Sequence, residues 1–246
     1  MSTQKIALIT GANRGIGFET ARQLGKQGIK VLIGARSEEK GKEAEAALKA
    51  AGLDVEYINL DVDNTATHAS AAKTIEEKYG RLDILINNAG ILIESNNGTP
   101  PAQASETSLD LLRKTFETNF FNTIAVTQKF VPLLKRSDAG RIVFLSSALG
   151  SLSWHSDPKS PIYNYKLPAY DISKTALNGY AVHLAWELKD TPIKVNAAHP
   201  GSVVTDMNAG GDIQVEEGAQ TSVDLATLPA DGYSGKFIHL GNELPW

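Results

Sequence analysis

The sequence predicts an α/β chain: one doubly wound parallel sheet of about seven strands, with helices on both faces. Three observations carry this. Short, continuously apolar segments alternate with amphipathic helical patterns over nearly all 246 residues. Apolar runs of that kind belong to parallel strands covered on both faces, and right-handed crossovers then make a doubly wound sheet the economical topology. The first apolar run also ends in a glycine-rich turn that opens directly into a helical pattern. No Pro/Gly/Ser linker divides the alternation and no internal repeat is visible, so a single domain over 1–246 is expected.

The elements follow in order. Lys5–Thr10 is the first strand, and Gly15–Gln27 carries Ile16, Ala21 and Leu24 at helical spacing. Lys30–Gly34 is apolar and β-rich, and an Ala/Glu/Lys-rich helix follows over 38–51. Val55–Leu60, Leu82–Asn87, Arg141–Ser146 and Ile193–Ala198 complete the inner strands, with helices near 65–79, 106–136 and 170–189 between them. Two stretches break the rhythm: the polar segment 93–105 with its Pro-Pro pair, and 148–168, which is aromatic-rich and holds three prolines. Loops of such length in a compact domain are often functional. Trp154, His155, Tyr163 and Tyr165 in the second either line a substrate entrance or pack as a cluster over the core.

Composition narrows the classes. With 42% hydrophobic residues, 21% charged and a net charge of −4, the chain is globular and lacks the basic stripe of a nucleic-acid binder or the polybasic cluster that docks on anionic membranes. MSTQKIALIT enters a strand at once and has no signal-peptide pattern; no window reaches the roughly eighteen apolar residues of a membrane span, so cytoplasm is the default compartment. The absence of cysteine removes disulfides, thiolate zinc sites and a cysteine nucleophile together. Histidines 68, 155, 183, 199 and 239 show no ligand spacing, so no metal is expected. No G-x-S-x-G elbow is present, which argues against an α/β-hydrolase.

The nucleotide signal lies at the first turn, where Gly11, Asn13, Arg14, Gly15, Ile16 and Gly17 fall between a strand and a helix. Glycines there allow close backbone approach to a pyrophosphate, and a helix N-terminus offers free N–H donors and a favourable dipole. The pattern is that of a Rossmann fold. In NAD-specific members an acid about twenty positions on binds the ribose 2′-hydroxyl. Arg36 stands in that place. A guanidinium can pair with a 2′-phosphate, and Arg14 could close on it from the other side, so NADP(H) is favoured over NAD(H). The alternative is that both arginines are solvated, or that Glu38 and Glu39 pair with Arg36. Asp61 could accept from an adenine amino group with Val62 behind it, and Asn88, Ala89 and Gly90 end the fourth strand at the same carboxyl rim.

The chemical signal is Tyr170 with Lys174, four apart on one helical face. A phenol titrating near 10 is a poor acid at neutral pH. A neighbouring ammonium and the positive ring of an oxidised nicotinamide favour the phenolate and are expected to lower that value. Such a tyrosine can give a proton to a carbonyl oxygen as hydride arrives, or take it back in reverse. Ser147 could hold the substrate oxygen, and Asn119 could order a water in a proton relay.

Taken together, TGANRGIG at 10–17, LDV at 60–62, NNAG at 87–90, TN at 118–119, GRIVFLSS at 140–147, YDISK at 170–174 and HPGSVVT at 199–205 resemble the short-chain dehydrogenase/reductase family across essentially the whole chain. The resemblance implies that Asn119, Ser147, Tyr170 and Lys174 form a catalytic tetrad. It implies further that Lys174 also holds the nicotinamide ribose, and that Pro200, Gly201, Val203 and Thr205 fix the carboxamide. The tail over 216–246 looks like the NADPH-dependent carbonyl-reductase branch, and the insertion between Ser147 and Tyr170 is longer than in the common members and shorter than in the animal carbonyl reductases. The implied substrate is a small carbonyl compound or alcohol, met by loops near 91–105, 148–168 and 206–216. Monomer and homo-oligomer, the latter paired through the helices near 106–136 and 170–189, both stay open. A nucleotide-binding sensor or scaffold without catalysis is the reading from another class; its mark would be loss of Tyr170 or Lys174, and both are present.

Overall fold

The structure is a computed structural model and describes residues 4–94 and 103–246. Residues 95–102, within the expected substrate loop 91–105, lie outside the described part. Among the described residues the sheet has eight strands: β1 (Ile6–Thr10), β2 (Lys30–Ala35), β3 (Val55–Asn59), β4 (Ile84–Asn87), β5 (Arg141–Leu145), β6 (Lys194–Ala198), β7 (Phe237–His239) and β8 (Asn242–Glu243). Their order is β3-β2-β1-β4-β5-β6-β7-β8, and every pairing is parallel except β7 with β8.

Period-two alternation inside each apolar strand sends side chains to both faces. Leu8, Leu32, Leu85, Ile142 and Val195 join one buried cluster, and Ala7, Ile9, Val31, Ile33, Ile86 and Val143 join the other. The first cluster is covered by α3 (Thr65–Tyr79), α5 (Thr123–Leu134) and α7 (Pro168–Glu187) through Ile75, Phe130 and Leu177. The second is covered by α1 (Gly15–Lys26), α2 (Glu38–Ala50) and α8 (Val215–Ala226) through Leu24, Leu48 and Val223. Two dry layers against one sheet are the expected doubly wound arrangement.

Three features depart from the sequence reading. The eighth strand arises in the tail, where Leu240 and Gly241 both take positive φ (44° and 78°) and turn the chain back on β7 as a hairpin. The tail also forms α8, whose apolar positions are small alanines and glycine as much as large residues. The helix expected over 106–136 is not continuous: α4 (Leu109–Phe116) passes into a π turn over Glu117–Asn122 before α5. Thr123 Oγ donates to the Thr118 carbonyl, while Thr118 Oγ and Asn122 Nδ2 both donate to Asp63, which pins the wide turn from outside. Such bulges collect at functional sites.

The chain runs outward from β1 to β3, then returns to β4 beside β1. That reversal opens a crevice at the carboxyl ends of β1 and β4, where doubly wound sheets bind ligands. The glycine turn follows β1, and the NNAG segment follows β4.

Candidate active site

A cleft of about 1280 Å³ runs along this carboxyl rim. Of the sequence-predicted residues, Gly11, Asn13, Arg14, Gly15, Ile16, Gly17, Arg36, Asp61, Val62, Asn88, Ala89, Gly90, Ser147, Tyr170, Lys174, Pro200, Gly201, Val203 and Thr205 all line it. Asn119 does not.

At one end, α1 begins at Gly15 with no side chain capping its N-terminus and no acid in its first turn. Its first N–H groups are therefore free for an anion. Gly15 has φ +56°, a conformation that favours glycine. Gly17 is required for a different reason: a Cβ there would lie 2.5 Å from Asn88 Nδ2 and 2.7 Å from the Gly11 carbonyl. Asn88 cannot simply yield, because its Nδ2 donates to the Thr10 carbonyl at 2.8 Å and braces the glycine turn. Thr10 completes that brace, its hydroxyl accepting from the Asn88 and Ala89 N–H groups. Asp61 and Val62 are held by buried His68, whose Nε2 lies 3.0 Å from both their carbonyls.

The two arginines behave differently. Arg36 is exposed and forms no ion pair among the described residues; Glu38 pairs with Lys42 instead. Arg14 forms a 2.6 Å pair with Asp206 across the mouth of the cleft. Both members are largely exposed, so that contact is worth at most about 1 kcal/mol and leaves Arg14 available.

At the other end stand Ser147, Tyr170 and Lys174. Lys174 Nζ lies 5.6 Å from the Tyr170 ring centroid and donates to the Leu145 carbonyl at 2.8 Å. Burial pushes the Lys174 ammonium down to about 8. Burial pushes the Tyr170 phenol up to about 12, against a hydrogen bond with Ser147 that lowers it. The expected depression of the phenol is thus absent in the protein's own field. Desolvation of the phenolate outweighs the Ser147 hydrogen bond, and the charge of Asp171 raises the phenol further.

Asn119 sits in the π turn, 1% exposed, with its amide committed. Its Oδ1 accepts from the Ile91 N–H at 2.8 Å, and its Nδ2 donates to the Ile91 carbonyl at 2.9 Å and to Ser173 Oγ at 3.1 Å. Both amide N–H groups are taken and Oδ1 keeps a second lone pair, so the side chain braces Ile91 against Ser173 at the start of α7.

His199 was not singled out by sequence. Its Nδ1 accepts from the Ala148 N–H at 3.1 Å and the Gly201 N–H at 3.4 Å, tying the residue after Ser147 to the Pro200-Gly201 turn. Burial first, then the adjacent His239, drives its pKa down to about 3, so the ring stays neutral and able to accept. The only sequence signal was its place directly before the Pro-Gly pair. Of the four aromatic loop residues, only Tyr165 lines the cleft. His155, in the short helix α6 (Leu152–Ser156), packs inward, with Nε2 2.9 Å from the Leu149 carbonyl and Nδ1 3.0 Å from Lys166 Nζ. Among the described residues no helix is long and apolar enough to cross a membrane.

The residues present suit a nicotinamide dinucleotide. An uncapped helix N-terminus faces one end, and at the other a buried ammonium uses one protein acceptor for its three donors. Residues 5–214 match the short chain dehydrogenase family. The chain is 34% identical to a (+)-neomenthol dehydrogenase of Arabidopsis thaliana, covering 92% of this chain and 93% of that protein. It is 32% identical to the NADPH carbonyl reductase 1 of Mus musculus, covering 100% and 99%. The crystal structure of NADPH-bound carbonyl reductase from chicken fatty liver superimposes with a TM-score of 0.82 at 26% identity, covering 99% of this chain and 94% of that one.

Proposed function

Because the chain belongs to the short-chain dehydrogenase family, on the branch that includes carbonyl reductases, we propose that it is an NADP(H)-dependent reductase of small carbonyl compounds, running in reverse as an alcohol dehydrogenase. One observation carries the reading: the buried Lys174 ammonium beside the Tyr170 ring, with no carboxylate partner among the described residues, next to a phenol kept protonated.

NADPH bound along the cleft would supply a hydride for the substrate carbonyl carbon. Ser147 Oγ holds the substrate oxygen, and Tyr170 Oη gives it a proton, so the carbonyl becomes an alcohol and the tyrosine a phenolate. Lys174 stabilises that phenolate and would hold the nicotinamide ribose hydroxyls. Asn119 holds the segment after β4 and the start of α7 in register. Gly11, Asn13, Gly15, Ile16 and Gly17 cradle the pyrophosphate, with Asp61, Val62, Asn88, Ala89 and Gly90 along the adenosine and ribose edge. Pro200, Gly201, Val203 and Thr205 orient the carboxamide.

NADP(H) is preferred to NAD(H). Arg36 supports this: it directly follows β2, exposed on the cleft, with no acid paired to it among the described residues. The relatives named for NADPH support it too. Ile91, Leu92, Leu149, Ile162, Leu167 and Met207 give the substrate half an apolar wall suited to uncharged, apolar carbonyls, a class consistent with the neomenthol dehydrogenase relative.

The test is NADPH oxidation followed against a panel of aldehydes, ketones, diketones and quinones. Turnover of an apolar ketone or aldehyde supports the reading. NADPH binding without turnover of any compound would favour a catalytically silent sensor or scaffold.

A further inference from the structure

We propose that Glu94 is a positioning residue for the proton donor: its carboxylate, reaching from the segment after β4, sets the backbone of Tyr170 at the start of α7. The inference rests on the reading of Tyr170 as the acid.

Helix α7 cannot cap itself. Its N-cap is Leu167, which offers no side-chain acceptor, and its first residue is Pro168, which has no N–H. The Asp171 N–H begins the backbone ladder on the Leu167 carbonyl, leaving the N–H groups of Ala169 and Tyr170 without intrahelical partners. Both end on Glu94. Ala169 donates to Oε1 at 2.8 Å and Tyr170 to Oε2 at 2.6 Å, across 75 and 76 positions of sequence. The short distances fit a charge-assisted pair, favoured further by the helix dipole.

The segment holding Glu94 is itself anchored. Ile91 is clamped through both its N–H and its carbonyl by Asn119. The same amide reaches Ser173 Oγ, which donates to the Tyr170 carbonyl at 2.7 Å. A closed circuit therefore runs from the Tyr170 N–H through Glu94 and Ile91 to Asn119, Ser173 and the Tyr170 carbonyl. Both polar backbone atoms of Tyr170 are tied to the segment that leaves the NNAG edge. Glu94 does not line the cleft, so it acts on the phenol only through this backbone. Misplacing a reacting group by about 1 Å can cost roughly a hundredfold in rate.

The experiment compares Glu94→Gln and Glu94→Ala with the wild-type protein in NADPH-dependent carbonyl reduction, alongside NADPH Kd from fluorescence titration. Gln keeps the size but offers one acceptor oxygen where two N–H groups need one each. The expected result is a kcat fall of about tenfold or more in Glu94→Gln, larger in Glu94→Ala, with Kd within about twofold of wild type. Partial recovery in Glu94→Asp, which restores both acceptors on a shorter stem, would support it further. If kcat of Glu94→Gln stays within about twofold of wild type, or if Kd worsens in parallel with kcat, the proposal is overturned. Should Glu94→Ala fail to fold, Glu94→Gln decides alone. Retained turnover in Tyr170→Phe would instead refute the reading of Tyr170, whereas an inactive Tyr170→Phe beside a normal Glu94→Gln refutes only the role of Glu94.

Discussion

Lys174 Nζ stands 5.6 Å from the centroid of the Tyr170 ring and, among the described residues, donates only to the carbonyl of Leu145 at the end of β5. A buried ammonium in that setting costs the fold something and must be useful elsewhere. Burial holds its pKa at about 8 against an ordinary 10.5. Between those values the unfolded chain binds a proton that the folded one does not, so stability rises with pH through that window. Below it, the charged lysine destabilises by an amount on the order of 3 kcal/mol. Lys174→Met is therefore expected to raise Tm at neutral pH while lowering kcat/KM by about 10²–10⁴. Thermal melts and steady-state kinetics on one preparation check both. In the unsubstituted protein, kcat/KM for reduction falls as pH rises past about 8, when the ammonium is lost.

The pair itself was legible in sequence, because i, i+4 spacing in an apolar helical pattern can only put both side chains on one face. So was the glycine turn, set by its place between a strand and a helix. What sequence could not supply was the field around the phenol. Spacing brings an ammonium near Tyr170, but burial, which depends on everything packed above it, moves the phenol the other way. Asn119 was visible as a residue and not as a brace, since its partners, Ile91 and Ser173, lie 28 and 54 positions away. The π turn, the His199 bridge and the tail hairpin were hidden for the same reason: each is decided by contacts between distant segments.

Arg36→Asp should lower the NADPH-over-NADH preference, measured as a ratio of kcat/KM values, by tenfold or more, since it puts an acid where a 2′-phosphate would sit. Arg14, tied to Asp206 by an exposed pair, should contribute less, and Arg14→Ala should move the same ratio in the same direction by a smaller factor. An unmoved ratio in Arg36→Asp would place phosphate recognition elsewhere.

Gly17→Ala adds one methyl at a point where Asn88 Nδ2 and the Gly11 carbonyl leave no room. The turn must open or Asn88 must leave Thr10. Destabilisation of about 1–3 kcal/mol is expected in denaturant titration, together with weaker NADPH binding. Unchanged affinity and stability would mean that the turn adapts without cost.

Asp171 gives a pH signature of its own. Burial raises its carboxyl to about 7 from an ordinary 3.8, opposed by the hydrogen bond from the Leu167 N–H and reinforced by the charge of Glu94. The folded chain then binds a proton between those values that the unfolded chain releases. This contribution is full below about 4 and is lost as pH rises through about 7. Asp171→Asn can still accept from Leu167 and should flatten the decline. Equal slopes of stability against pH for the two proteins would argue against the shift.

The most direct measurement of the central claim is Tyr170→Phe, which removes one hydroxyl and keeps the ring. With the best substrate found in the carbonyl panel, kcat should fall by about 10²–10⁴ while NADPH Kd stays within about twofold of wild type. Near-normal kcat with intact cofactor binding would contradict Tyr170 as the proton donor.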